Sequence, residues 1–389
     1  MDKQKLTHTC EYFLRLVGNG IEVPGRTPLP EKPEDAEWKD LLLLSQKHSL
    51  AAVTYRALKD LPAPPDAETL AAWEKAYGTC VHADIQQLYA WEEIRDYFTE
   101  KGFRLLPLKG LRLKYLYPET ALRLMGDLDI FYEKERFSEL KAGMESLGYT
   151  FQTKSLGGNH QIFDRPPVTN VEMHSALLPA VSPFADYYAD VWSKALPTEE
   201  KNVFRFSVED EYIYFLIHAY KHFQGAGGGV RTIADFYLFR KKYAESMDRT
   251  YIENELRKAE SAAARKGEAP ESLSRFEQKL SDISGRWFGE KVIVNEEDFA
   301  LFTDGVYGKI ENLWEHELQK KGRAKYLFGR LFPSYAVMKT GYPVLAKLPF
   351  LLPFCWIARL FRGLFRRRKQ IAREYRYVSQ DPQKREKDN

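Results

Sequence analysis

The chain has few cysteines, little net charge and no recognisable export signal. Cys10, Cys80 and Cys355 are too few and too far apart for a disulfide framework or a zinc-binding motif, and they suit a reducing cytosol. A net charge of +3 over 389 residues gives no specific signal for nucleic-acid binding. No apolar segment follows a basic start at the N-terminus, so no signal peptide is predicted. These absences favour a cytoplasmic protein.

The composition that remains is that of a folded protein with two or three domains. Hydrophobic residues make up 44% of the chain and charged residues 29%. Apolar residues keep helical spacing through most of residues 1–100 and again over 201–335, whereas strand patterns alternate with helices over 101–200. Residues 336–389 form an apolar and basic tail. We predict an α+β fold in which a small mixed β-sheet is flanked by N-terminal and C-terminal helical regions.

The elements of the central region follow from these patterns. Helices are predicted at 111–117 and 134–147. Five strands are predicted, at 103–108, 127–132, 148–153, 160–164 and 169–174.

Two aspartates mark the start of the second predicted strand. Because side chains alternate along a strand, Asp127 and Asp129 should project to one side while Leu128 and Ile130 face the core. Two carboxylates on one side repel each other unless a cation lies between them, and Mg2+ takes both carboxylate and phosphate oxygens. The alternative interpretation is a solvated strand end without a metal.

A lysine and a glycine end the strand before this one. Gly110 lies at a predicted strand-to-helix turn, where it would let a phosphate approach backbone N–H groups. Lys109 adds a positive charge at the same turn, and Arg123 lies in the loop that leads to the aspartates. The stretch therefore combines a predicted phosphate-binding turn with a predicted metal site.

This order of motifs resembles the DNA polymerase beta-like nucleotidyltransferase superfamily and, within it, the bacterial group of uncharacterised nucleotidyltransferases. The similarity covers most of residues 35–240. Leu124 departs from the group's pattern, in which a proline follows the arginine. The matching residues, in order, are Leu108-Lys109-Gly110, Tyr117-Pro118, Arg123, Asp127-Leu128-Asp129 and Leu147-Gly148-Tyr149.

The last predicted strand supplies a third acidic residue. Glu172 faces away from Val171 and Met173 and shares its side of the strand with His174. The resemblance implies that Asp127, Asp129 and Glu172 are the catalytic residues and bind Mg2+, or Mn2+ in its place. Taken alone, Glu172 is also compatible with a half-exposed strand glutamate, and His174 with either an orienting role or simple packing.

A second group of polar residues follows in the helical region after residue 200. His218 and His222 lie four residues apart on one face of a predicted helix, without the glutamate that a zinc-protease motif requires. The resembled family has His, His, Arg and Asp at these places. We assign His222 and Arg231 to phosphate contacts and Asp235 to an orienting role, so that Lys109, Gly110, Arg123, His222, Arg231 and Asp235 form the predicted nucleotide site. The alternative is polar bonding between two helices in the core.

The resemblance implies a metal-dependent nucleotidyltransferase that transfers a nucleoside monophosphate from an NTP to an unknown hydroxyl acceptor and releases pyrophosphate. The sequence offers no nucleophile constellation, which fits direct transfer without a covalent intermediate. The alternative function is a catalytically inactive nucleotide-binding or regulatory protein, associated with a membrane surface in a glycan-assembly pathway.

The tail contains an uncharged apolar run at residues 348–358, shorter than the roughly 20 residues that a spanning helix needs. The adjoining apolar stripe consists of Ile357, Leu360, Phe361 and Leu364, and the basic residues beside it are Arg359, Arg362, Arg366, Arg367, Arg368 and Lys369. This composition is typical of a helix on the anionic inner face of a membrane, or of a basic patch for a phosphorylated polymer. The alternative is a helix that docks its apolar stripe on the protein.

Overall fold

The computed structural model describes most of the chain. Among the described residues, no helix has the length and apolar character that crossing a membrane requires. The described residues are 3–26, 28–59, 61, 63–154, 158–166, 169–224, 228–266, 271–305, 318, 322–366, 374–375 and 377–379.

The first hundred residues are helical, as predicted. Two breaks between these helices fall at the proline-rich segments 23–33 and 61–65, where helix propagation is unfavourable. Another falls at residues 48–50, where Ser49 has a positive φ of 54°. Asp66 begins the longest helix, because its side chain accepts a hydrogen bond from the backbone N–H of Thr69 at 3.0 Å. The four helices are α1 (Lys3–Gly20), α2 (Trp38–Lys47), α3 (Ala51–Leu58) and α4 (Ala67–Glu100).

The central region forms a mixed five-stranded sheet, which confirms the predicted α+β class. The strand order is β1-β2-β5-β4-β3, with β2 and β5 parallel and every other pair antiparallel. The strands are β1 (Leu105–Pro107), β2 (Leu128–Tyr132), β3 (Thr150–Lys154), β4 (His160–Arg165) and β5 (Thr169–His174).

Two short helices connect these strands. Helix α5 (Gly110–Leu113) follows β1 and continues as a 3₁₀ turn over Lys114–Leu116, so the α-helical part is shorter than the predicted 111–117. Helix α6 (Phe137–Ser146) follows β2 and is preceded by a 3₁₀ turn over Lys134–Arg136.

The register of the sheet places the acidic residues on one face. Leu128 and Ile130 are fully buried and pack with Val171 of β5 in a cluster that includes residues of α4 and α6. Asp129 and Glu172 are direct partners across the parallel pair β2 and β5. Because alternate side chains point to opposite faces, Asp129 and Glu172 lie away from this cluster, as the sequence predicted.

Helices that follow the sheet cover the opposite face. A two-stranded ribbon of β6 (Ala195–Pro197) and β7 (Phe204–Phe206) precedes them. Leu106 and Phe131 of the sheet share the main hydrophobic core with residues of the later helices. The later helices that contribute to this core are α7 (Val208–Phe223), α8 (Val230–Tyr243), α9 (Arg249–Arg265), α10 (Leu273–Phe288) and α11 (Phe299–Asp304). Helix α12 (Arg323–Leu331) follows them, and its Tyr326 belongs to a separate small cluster.

The tail contains α13 (Tyr335–Gly341) and α14 (Leu352–Arg366). Met338, Leu345 and Cys355 form a buried cluster separate from the main core. The predicted apolar stripe is described only in part: Ile357 is exposed and Leu360 is half-buried. The side chains of Phe361, Arg362, Leu364 and Arg366 lie outside the described part of the chain, and so do Arg367, Arg368 and Lys369 entirely.

His48 joins the N-terminal helices to the later ones. It is completely buried, its Nδ1 accepts a hydrogen bond from Val230 N at 3.3 Å, and its Nε2 lies 3.2 Å from the carbonyl oxygen of Phe302. Burial lowers the pKa of His48 from 6.5 to about 4. His48 is therefore a packing residue that links the two helical regions through hydrogen bonds.

This lowered pKa makes stability depend on pH. Below pH 6.5 the unfolded chain takes up a proton at His48 that the folded protein does not bind until about pH 4, so stability is lost as pH falls through this window. Between pH 7 and pH 5 we expect His48 to reduce the free energy of unfolding by about 2 kcal/mol.

Urea denaturation at the two pH values checks this. The variant His48→Gln should lose that part of the pH dependence, whereas His82→Gln, at an exposed histidine of α4, should keep it. Equal pH dependence in wild type and His48→Gln would contradict the assignment.

Candidate active site

Three carboxylates meet where β2 and β5 lie side by side. Asp127 directly precedes β2, Asp129 lies in β2 and Glu172 lies in β5. One oxygen from each falls within 4.8 Å of the other two. The structure therefore brings together the three residues that the sequence predicted as metal ligands.

Two basic side chains contact Asp129. Lys109 Nζ donates a hydrogen bond to Asp129 Oδ1 at 2.8 Å, and His174 Nε2 lies 2.7 Å from the same oxygen. Burial alone would raise the pKa of this carboxyl, but Lys109 and His174 outweigh burial and hold the pKa well below its usual range. Asp129 in turn raises the pKa of both partners against the effect of burial. Asp129 is thus ionised, Lys109 is charged, and the protonated form of His174 is favoured.

The other two carboxylates have different surroundings. Burial would raise the pKa of Glu172, but its polar contacts with His160 and His174 lower it to about 2. Burial and the negative charge of Asp129 raise the pKa of Asp127 to about 6. No hydrogen bond or ion pair to the Asp127 side chain is found within the described ranges. Asp127 is therefore the carboxylate that a bound cation would stabilise most.

The turn after β1 has a conformation that the sequence did not predict. Lys109 adopts φ 45° and ψ −111°, a region that non-glycine residues rarely occupy. Gly110 is required for packing, because a Cβ at this position would lie 2.5 Å from Met125 Sδ and 3.0 Å from Arg123 Nη1. The bond from Lys109 to Asp129 therefore holds a strained backbone next to the carboxylates.

Arg123 and Asp235 bind each other. The Nε and Nη2 atoms of Arg123 each donate to an oxygen of Asp235 at 2.8 Å, and Tyr117 Oη donates to Asp235 Oδ1 at 2.8 Å. Arg231 Nη1 donates to the carbonyl of Leu124 at 2.8 Å. Only 7% of Arg123 and 3% of Asp235 is exposed. These bonds tie the loop before β2 to α8, and the role of Arg123, Arg231 and Asp235 in nucleotide binding stays a prediction.

Helix α4 also contacts the segment between β1 and β2. Lys114 is completely buried and forms an ion pair with Asp84 of α4. Thr120 Oγ1 also donates to Asp84, at 2.7 Å, and Gln87 Nε2 donates to the carbonyl oxygen of Met125 at 2.9 Å. This segment is thereby anchored to α4 as well as to α8.

One face of α7 is turned toward Lys109. Four of its residues have the spacing of a single helix face: Tyr214, His218, Lys221 and His222. The centres of the imidazole rings of His218 and His222 lie 4.6 Å apart. Burial lowers the pKa of His222 to about 4, with further lowering by the charges of Lys221 and Lys109. Burial is also the main cause that lowers the pKa of His218 and of Lys221, and the positive charge of Lys109 lowers both further. The predicted residue His222 thus lies near Lys109, together with three residues that the sequence analysis did not assign.

His160 is a further residue that sequence reasoning missed. It is paired with His174 across the antiparallel strands β4 and β5, and the two imidazole rings lie 4.9 Å apart. Its Nε2 lies 3.3 Å from Glu172 Oε2. The sequence predicted the strand correctly, but pairing of His160 with His174 depends on the register between strands, which no local pattern encodes.

Comparison with known proteins agrees with this geometry. A family model described as an uncharacterised nucleotidyltransferase matches residues 34–265, more than half of the chain. The matched region contains every residue predicted for the site. No curated protein and no solved structure matches the chain.

The different partners of the two aspartates predict opposite effects on stability without metal. Asp127→Asn removes a charge that its neighbours disfavour, so the free energy of unfolding at pH 7 should rise by about 1–3 kcal/mol. Asp129→Asn leaves Lys109 and His174 without their counter-ion, so the free energy of unfolding should fall by about 3 kcal/mol or more. Thermal and urea denaturation in the presence of a chelator measure both. A shift in the same direction for the two variants would contradict the assigned contacts.

Proposed function

Because the chain belongs to the uncharacterised nucleotidyltransferase family, we propose that it transfers a nucleoside monophosphate from a nucleoside triphosphate to a hydroxyl-bearing acceptor, with release of pyrophosphate. The observation that carries this proposal is the set of three carboxylates at the junction of β2 and β5. The wider relationship to DNA polymerase beta-like enzymes is part of the same proposal.

The carboxylates have the donor atoms and the electrostatics of a magnesium site. Asp127, Asp129 and Glu172 would hold Mg2+, or Mn2+ in its place, through oxygens that already lie within 4.8 Å of one another. The raised pKa of Asp127 supports this, because it reports an excess of negative charge that a cation would offset. When bound, the metal supplies charge stabilisation at the reacting phosphate and lowers the pKa of the acceptor hydroxyl.

The residues of the chain bind and orient the substrate. Lys109 donates to Asp129 and is close enough to the carboxylates to donate to a phosphate oxygen as well. Gly110 and His222 belong to the same proposed nucleotide site. Arg123, Arg231 and Asp235 complete it as positioning residues, since they hold the loop between α5 and β2 against α8.

His218 and His222 have lowered pKa values and are therefore neutral at pH 7. A contact from His222 to a phosphate oxygen would therefore be a hydrogen bond from a neutral imidazole N–H rather than an ion pair. In this reaction the acceptor oxygen bonds to the α-phosphorus, and the bond from the α-phosphorus to the oxygen that bridges it to the β-phosphate breaks. Pyrophosphate leaves with that oxygen, and the proton of the acceptor hydroxyl passes to solvent. The protein supplies position and electrostatic stabilisation rather than a covalent intermediate.

Nucleotide titration tests the proposal. Calorimetry with ATP, CTP, GTP and UTP should show binding that depends on Mg2+, and an assay with hydroxyl-bearing acceptors should show release of pyrophosphate. Asp127→Asn should abolish the release, because it removes a metal ligand without removing a partner of Lys109. Asp164→Asn, at a half-buried aspartate of β4 outside the site, is the matched control and should behave as wild type.

The outcomes separate the two functions. Pyrophosphate release that Asp127→Asn leaves unchanged would refute the assigned site. Nucleotide binding with no release under any acceptor condition would instead favour a catalytically inactive nucleotide-binding protein.

The tail carries a second proposal, contact with an anionic membrane surface. Phe350 is 70% exposed, Phe354 67% and Ile357 52%, so the tail presents apolar side chains to solvent. Lys347 and Arg359 flank them. Exposed aromatic and aliphatic side chains next to basic residues are typical of helices that lie on a membrane surface.

Vesicle binding checks this placement. The full-length protein should bind vesicles that contain anionic lipid. Salt should weaken this binding because it screens the basic contacts, each of which is worth only about 1 kcal/mol. The double variant Phe350→Ser, Phe354→Ser should bind less, whereas Ile85→Ser, at an exposed isoleucine of α4, should not change binding. Absence of binding by the wild type at low salt would exclude the membrane and favour a tail that docks on protein.

A further inference from the structure

We propose that His160, Glu172 and His174 form a second metal site, beside the carboxylate site, that binds a transition-metal ion of the zinc or cobalt type rather than Mg2+. The site shares Glu172 with the proposed active site. It does not depend on the transfer reaction, because its three ligands are defined by the sheet alone.

The distances between the ligand atoms suit such an ion. One ligand atom from each of the three residues lies within 4.8 Å of the other two. Glu172 Oε2 lies 3.3 Å from His160 Nε2 and 3.6 Å from His174 Nε2. Ligands bound at 2.0–2.2 Å with tetrahedral angles are separated by about 3.4 Å. The distance from the carboxylate oxygen to each imidazole Nε2 is therefore already close to the separation between two ligands of one ion.

The sheet holds these ligands in place. Glu172 and His174 are two residues apart on β5 and face the same side, and β4 pairs His160 directly with His174. His174 is 1% exposed, and the other two are half-buried. Ligands on paired strands keep their spacing better than ligands on loops, so little rearrangement is needed on binding.

The ligand types distinguish this site from its neighbour. Imidazole nitrogens favour zinc-type ions, whereas a site with carboxylate oxygens only favours Mg2+ and Mn2+. Two histidines and one carboxylate also leave coordination positions open for water or a substrate oxygen. The protein thus offers two chemically different sites that meet at Glu172.

One existing contact must be exchanged when the ion binds. His174 Nε2 lies 2.7 Å from Asp129 Oδ1, and a metal bound to Nε2 would displace the proton of that hydrogen bond into solvent. Asp129 keeps its hydrogen bond from Lys109 at 2.8 Å. The exchange therefore leaves neither Asp129 nor Glu172 without a cation.

Titration of the metal-free, full-length protein with Co2+, without nucleotide, tests the inference. We expect one Co2+ to bind with visible absorption bands that persist in excess Mg2+, and absorption spectroscopy at the cobalt edge to show two imidazole ligands. Asp127→Asn should bind Co2+ in the same way, because Asp127 is not a ligand of this site. His82→Gln, at an exposed histidine of α4, should also match wild type.

The variants His160→Ala and His160→Gln should weaken Co2+ binding at least about tenfold and remove one imidazole from the cobalt spectrum. The glutamine variant keeps a polar group beside Glu172, so it reports on the ligand if the alanine variant fails to fold. Co2+ binding that both variants leave unchanged, or that excess Mg2+ abolishes, would overturn the inference. Because no nucleotide is present, either result is independent of whether pyrophosphate release is found.

Discussion

Repulsion among three carboxylates is the constraint on which this structure depends. Asp127, Asp129 and Glu172 lie within 4.8 Å of one another in a partly buried setting, where like charges interact more strongly than in water. The fold offsets two of the three charges: Lys109 and His174 bind Asp129, and His160 and His174 bind Glu172. The charge of Asp127 is left without such a bond among the described residues, and this is the excess of negative charge that the proposed metal ion would offset.

The same constraint explains the unusual turn at Lys109. A positive φ at a lysine is unfavourable, so the surrounding structure must hold it. The bond from Lys109 to Asp129 does so on one side, and the close contact of Gly110 with Met125 does so on the other. Helices α4 and α8 then anchor the following loop through Asp84 and Asp235. Buried ion pairs of this kind add little net stability, but removing one partner is costly, so they define geometry.

The sequence allowed the acidic site to be predicted because its information is local. The spacing of Asp127 and Asp129 matches the two-residue period of a strand, and the alternation of Val171, Glu172 and Met173 does the same. The family pattern linked these segments and also indicated the residues near α7 and α8, where His222 lies close to Lys109. It did not show that Arg123 and Asp235 bind each other, since they are 112 residues apart and any contact between them depends on how α8 packs.

By itself, the sequence determined the class of fold, the strands and the side of the sheet on which the acidic residues lie, because these follow from hydrophobic periodicity along one segment. Only the tertiary structure decided which charges meet. The parallel register sets Asp129 beside Glu172, and the antiparallel register sets His160 beside His174. The backbone of Lys109, rather than that of Gly110, takes the strained conformation at the turn. Such features arise from pairing between distant segments, and a shift of one residue in register would reverse the faces and separate the same side chains.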